Sequence, residues 1–200
     1  MYILVYFAHA LVHFVHILFM WKLIASLIVV VLVIGYWHHK VFAFTSASRK
    51  LWTDHVIWTR EYMNAVATKR ESKFVLERLL KNQDDLGQLY GRVYGSDGGI
   101  LIRLLLREHI QVATRVIAGD TTALPIWYAN GDRLADALGC DRAMMKEHLD
   151  LTAAEWSSTN SNAVSYNNIS IFDTILGSAL DMSDMIARRI SYTRLAILYS

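Results

Sequence analysis

The first 44 residues carry almost no polar interruption, and the run ILFMWKLIASLIVVVLVIGYW, Ile17 to Trp37, holds a single charge, Lys22. A helix of that length rises about 30 Å, the thickness of a bilayer's hydrocarbon core. Lys22 is placed to snorkel at one interface, while Tyr36 and Trp37 suit the other. The pattern therefore predicts a membrane span over about residues 17–37. A secretory signal peptide is the competing reading, with Thr45-Ser46-Ala47 as a loose cleavage site. The absence of a basic leader and the length of the apolar core favour a retained anchor.

Ahead of the span, His9, His13 and His16 share one helical face by their spacing. One helix cannot close a metal or haem site, so a weakly polar face is the preferred reading. A straight helix over residues 1–37 would be about 55 Å long, which requires a bend or a part outside the bilayer.

After Thr45–Ser48, expected to be a linker and helix start, the apolar period becomes helical, with hardly any strand alternation. Helices are expected over about Arg49–Thr68 and Ser72–Tyr90, with Ser72 as a cap. YGSDGG, Tyr94 to Gly99, breaks the pattern, and a leucine-rich helix follows to Ala118. Asp120 and Thr121 are candidate caps for a helix ending at Leu138, with Pro125 near its first turn, and Asp141 caps another reaching about Ser157. The polar run from Ser158 to Asn168 predicts a break or weak helix, and a final helix is expected over about Ser170–Ile190, with the pattern open to its running on toward the C-terminus. The fold class is all-α: an up-and-down bundle of five to six helices over residues 45–200, preceded by a single transmembrane helix within residues 1–44.

Charge sharpens this division. All 18 acidic residues lie beyond position 48, and only Lys22 and Lys40 of the 20 strong bases lie before it. The rest of the chain is formally neutral before histidine, and no basic stripe suggests a nucleic-acid partner. Lys40, Arg49 and Lys50 follow the span, which puts the bundle on the cytosolic side or its topological equivalent. The lone Cys140 forms no internal disulfide and fits a reducing compartment.

Four helices each set one ionisable group in an apolar pattern: His55, His109, His148 and Asp173. Three imidazoles and a carboxylate converging inside a bundle would suit a transition metal such as zinc, iron or nickel. No HExxH or ExxH pair is present. The competing and preferred reading is a polar core network of neutral histidines. Its other members would be Thr59, Arg60, Asn82, Asp85, Asn130, Asp132, Thr152 and Glu155. No nucleophile elbow or phosphate loop accompanies them.

LWTDHVIWTR, LLKNQDDLG, YG, LLLREH, WYANGDRLADAL, MKEHLDLT and FDTILGSALDMSDMI, in that order, resemble a group of small helical proteins of spore-forming bacteria and large DNA viruses. Bacterial members often carry the label acetylglutamate kinase, which does not suit a helical chain without a nucleotide-binding fold. The resemblance covers about residues 50–190. It extends to His55, Thr59, Arg60, Asn82, Asp85, His109, Trp127, Asn130, Asp132, His148, Thr152, Glu155 and Asp173. The chain departs at Gly131, where the group usually has alanine, at Phe172, often tyrosine, and in the Asn/Ser-rich run after Glu155. The resemblance implies a helical bundle and no particular reaction.

Three functions follow as expectations. The first is a membrane-anchored, non-enzymatic structural protein whose partners are the bilayer and capsid or membrane proteins, as in a virion with an internal membrane. The second is a metal-binding bundle with enzymatic activity. The third is a regulatory module that recognises another protein.

Overall fold

The computed structural model describes residues 2–160 and 166–198 and is helical almost throughout, with no strand among the described residues. The helices are α1 (Tyr2–Ala67), α2 (Lys73–Ile117), α3 (Ala123–Leu138), α4 (Arg142–Asn160) and α5 (Tyr166–Leu198). Two compact units divide the chain, Met1–Ala43 and Phe44–Ser200.

In the first unit, the large side chains of α1 from Phe14 to Ile34 stand exposed, Leu27 at 64% and Leu32 at 66%. The helix is long and apolar enough to cross a membrane. Its backbone groups are paired within the helix, so an apolar surrounding would meet side chains, nearly all of them apolar from Leu23 to Ile34, rather than unpaired amides. His9, His13 and His16 are exposed as well, and the rings of His9 and His13 stack at 5.7 Å.

The second unit is a helical bundle. Residues 45–48, expected to be a linker, are helical instead. The reason is tertiary. Ser48 is fully buried, and its hydroxyl bonds to Tyr90 at 3.0 Å and Ser183 at 2.7 Å, while Trp52 Nε1 donates to Tyr90 at 2.9 Å. Burial pushes the Tyr90 phenol up to about 12, so it stays neutral and serves only as a hydrogen-bonding hub.

The expected break at YGSDGG is narrower than the motif. Within α2 only Gly95 leaves helical geometry, at φ 83° and ψ 170°, a conformation that side chains with a Cβ rarely adopt. The helix folds back there into a hairpin with a first arm over 73–94 and a second over 96–117. The arms touch at glycine: a Cβ added to Gly99 would lie 2.6 Å from the Gly91 Cα. Further along, Arg107 reaches back to Asp84 at 3.0 Å.

Successive elements run antiparallel. Ser48 of α1 meets Tyr90 while His55, further along, meets Gln83. Between α3 and α4, Tyr128 meets Asp150 while Asp136 meets Arg142. The helix ends are set by local chemistry. Ser72 holds the N-cap position of α2 without a side-chain cap bond, and Glu71 instead accepts from the Lys73 amide. Asp120 accepts from the amide and hydroxyl of Thr122, Asp141 accepts from the Ala143 amide at 2.6 Å, and Gly139 closes α3 in the left-handed conformation. α4 continues to Asn160 and α5 resumes at Tyr166, so the core of the expected break, residues 161–165, lies outside the described residues.

The apolar stripes meet in one core that includes Trp52, Leu86, Tyr90, Leu106, Leu134, Leu149, Met182 and Ile186. Each such side chain contributes roughly 1.5–3 kcal/mol when fully buried.

Candidate functional site

The apolar stripes of α1, α2, α3 and α4 are interrupted by His55, His109, Trp127 and His148, each at least nine-tenths buried. These side chains line a cavity of about 60 Å³, together with Thr59, Met63, Ile110, Ala113, Val116, Ile117, Thr152, Ala153 and Trp156. The rings of His55 and His148 lie 6.2 Å apart, and His109 stacks on Trp127 at 5.2 Å.

The surroundings favour neutral imidazoles. Burial holds His109 and His148 down to about 4, and it holds His55 well below the ordinary histidine range, with His148 and His109 adding repulsion. Asn130 fixes one tautomer. Its amide nitrogen donates to the Leu105 carbonyl at 3.2 Å and Glu108 at 3.0 Å, so its oxygen accepts from His109 Nδ1 at 2.9 Å. His109 Nε2 is left as an acceptor. His55 Nδ1 lies 3.2 Å from Gln83 Nε2, which also faces the Leu79 carbonyl at 2.9 Å and Asn82 Oδ1 at 3.1 Å. Two amide hydrogens thus serve three acceptors. Asn82 in turn donates to the Leu51 carbonyl at 2.9 Å, tying this arm of α2 to α1.

Polar satisfaction fails at the cavity wall. Thr59 Oγ1, Trp127 Nε1 and His148 Nδ1 are buried without a hydrogen-bond partner. A buried orphan of this kind costs about 1–3 kcal/mol, so three around one small space form a marked concentration. Thr152 is satisfied locally, donating to the His148 carbonyl at 2.7 Å.

A second polar group lies on the same two helices, α1 and α4. Glu155, 1% exposed, faces Arg60 at 3.2 Å, and Arg60 also donates to Asn168 at 2.8 Å and covers the Phe172 ring at 4.3 Å. Burial pushes the Glu155 carboxyl up to about 7 against the opposing pull of Arg60.

Three expected members are elsewhere. Asp173 is exposed on α5, because the buried stripe of that helix is Ile175, Ala179, Met182 and Ile186 rather than the face of Leu176 and Leu180. Asp132 is exposed on α3, whose inner face is Trp127, Asn130, Gly131, Leu134 and Leu138. Asp85 pairs with Lys81 at the surface, between the buried Gln83 and Leu86 but off their face of the helix. The carboxylate expected to complete a metal set with His55, His109 and His148 is therefore absent from the cavity. Among the described residues no group of three or more His, Cys, Asp or Glu is arranged to hold a metal ion. Burial raises the Cys140 thiol to about 11, which favours its protonated form at neutral pH.

Sequence reasoning missed Gln83 as the partner of His55, and it assigned Trp127 no place beside the histidines, where the structure makes it a cavity wall. Gln83 follows Asn82 directly, and two adjacent amides beside the apolar Leu79 and Leu86 are the signal that could have found it. No family model matches the chain, and no match was found among curated proteins or solved structures.

Proposed function

We propose that this is a membrane-anchored, non-enzymatic structural protein in which α1 inserts in a bilayer and the bundle of residues 44–200 serves as its folded load. The observation that carries this reading is the continuous exposure of large apolar side chains from Phe14 to Ile34. In water such a surface would drive association, whereas in lipid it is the expected exterior. Lys40, Arg49 and Lys50 beyond the span give the bundle a cytosolic orientation, or its topological equivalent. The finer setting, a virion whose internal membrane is joined to its capsid, rests on the resemblance to viral proteins alone.

Flotation of the full-length protein with liposomes, repeated after alkaline carbonate extraction, tests the anchor. The protein is expected to float in both cases. Full-length protein left at the bottom of the gradient overturns the reading. Protease digestion of sealed vesicles then tests orientation, with the bundle expected to be cleaved only when the cytosolic face is accessible.

A further inference from the structure

The histidine cavity has no place in a purely structural reading. We propose that it is a binding site for a small uncharged molecule with adjacent hydrogen-bond donor and acceptor groups on a compact apolar body, of which a short-chain carboxamide is the simplest representative.

Three observations converge. The first is space: a water needs roughly 10–15 Å³, so about 60 Å³ holds a few waters or a molecule of about five non-hydrogen atoms. The rim residues Ala113, Val116, Ile117 and Trp156 are only half-buried, which gives the cavity a mouth. The second is unmet hydrogen bonding. Trp127 Nε1 is an obligate donor with no acceptor, while Thr59 Oγ1 and His148 Nδ1 also lack partners. His109, whose tautomer Asn130 fixes, keeps Nε2 as an acceptor on a ring that lines the cavity. A carboxamide oxygen answers the indole N–H, and its NH₂ answers an imidazole nitrogen.

The third is charge. Among the described residues, no Asp, Glu, Lys or Arg lines the cavity. The apolar part of the wall is formed by aliphatic side chains of α1, α2 and α4, Met63 and Ile110 among them, with Trp127 and Trp156. A carboxylate or ammonium ligand would be desolvated there without a counter-charge. The geometry thus selects for a neutral ligand with mixed polarity and separates this site from the Arg60–Glu155 pair on the same helices.

The experiment uses full-length protein in lipid nanodiscs with ¹⁵N-labelled tryptophan, titrated with propionamide, propionate and propylammonium, three probes of nearly equal size. For so few atoms, dissociation constants extend up to roughly 0.1 M, which sets the titration range. Propionamide is expected to shift the Trp127 indole signal saturably, at least tenfold more tightly than either charged probe. Ala153→Leu, which fills the cavity, is expected to abolish the shift. Trp127→Phe retains the ring but removes the donor and is expected to weaken binding at least fivefold, read from the Trp156 signal. Because the anchor is not involved, failure of flotation would leave this result intact, and the reverse also holds.

No saturable shift with propionamide overturns the proposal, as does an equal shift in Ala153→Leu protein. Tighter binding of propionate or propylammonium overturns the assigned ligand class. Stoichiometric metal in protein purified without affinity-column metal, lost in His148→Ala, reassigns the cavity to a cation and also overturns it.

Discussion

The two units of this chain arrange polarity in opposite ways. In the first, Leu27, Leu32 and their neighbours on α1 face outward, while the backbone polar groups are held inside the helix. In the second, His55, Asn82, Gln83, His109, Asn130, His148 and Glu155 are buried, and most of the charged side chains stand at the surface. The contrast shows what each environment penalises. A lipid exterior tolerates any apolar side chain and asks only that the backbone be paired. A water exterior lets charge scatter freely but makes each polar group sent inside costly unless it finds a partner.

The sharpest way to break the comparison is to put charge on the apolar unit. Leu27→Arg combined with Val31→Arg sets two guanidiniums near the middle of the span, each costing about 2.5–3.5 kcal/mol on insertion. The doubly substituted protein is expected to lose most of its carbonate-resistant flotation, and full retention would show that α1 does not cross the bilayer. The same kind of substitution on the exposed face of the bundle, where Lys50 pairs with Asp54, is expected to leave flotation unchanged.

Acid sharpens the other side. His109 and His148 are held to about 4 in the folded protein, below the ordinary value of 6.5 that they regain on unfolding. Below pH 6.5 the unfolded chain therefore takes up protons that the folded chain refuses. Stability is full above that pH and falls as pH drops toward 4, by about 3 kcal/mol for each of the two. Glu155 acts in the opposite sense. Its carboxyl, at about 7 when folded, binds a proton between pH 7 and 4.5 where the unfolded chain does not, so it opposes part of the loss. Urea unfolding from pH 7.5 to 4 should show a net decline, steeper in Glu155→Gln. A flat profile in both proteins would mean that the histidines are not buried as described.

A smaller effect is expected from Arg60→Met, which strands the Glu155 carboxylate. The loss should be about 2–3 kcal/mol at pH 8, less than a fully buried pair because the guanidinium is partly exposed, and it should shrink at pH 6 as Glu155 becomes neutral. A loss independent of pH would show that Arg60 acts through its packing on Phe172 alone. Lys50→Ala should change stability by no more than about 0.5 kcal/mol, since that ion pair is largely solvated.

The histidine-bearing helices were legible because each places one imidazole inside an otherwise apolar stripe, and the structure buries all three. Asp173 was misplaced because α5 has two plausible apolar faces one residue out of phase. Leu176 and Leu180 favour one and Ile175, Ala179 and Met182 the other, and only packing chooses between them. Asp85 and Asp132 failed for a related reason: an acidic residue two positions after a buried amide reads as part of its cluster, although a helix turns it about 200° away. The Thr45–Ser48 stretch looked like a linker from composition, yet the hydroxyl of Ser48 has partners on two other helices.

By itself the sequence determined the all-helical class, the long apolar segment near its start, the turn near Gly95, the end of α3 at Leu138 and the start of α4 after Asp141. These depend on period, composition and caps within a few residues of one another. Only the tertiary structure decided that Gln83 reaches His55, that Asn130 sets the tautomer of His109, and that Trp127 and His148 surround a space with their polar atoms unmet. Such relations join residues tens of positions apart, where a small error in helical phase or register changes which side chains meet.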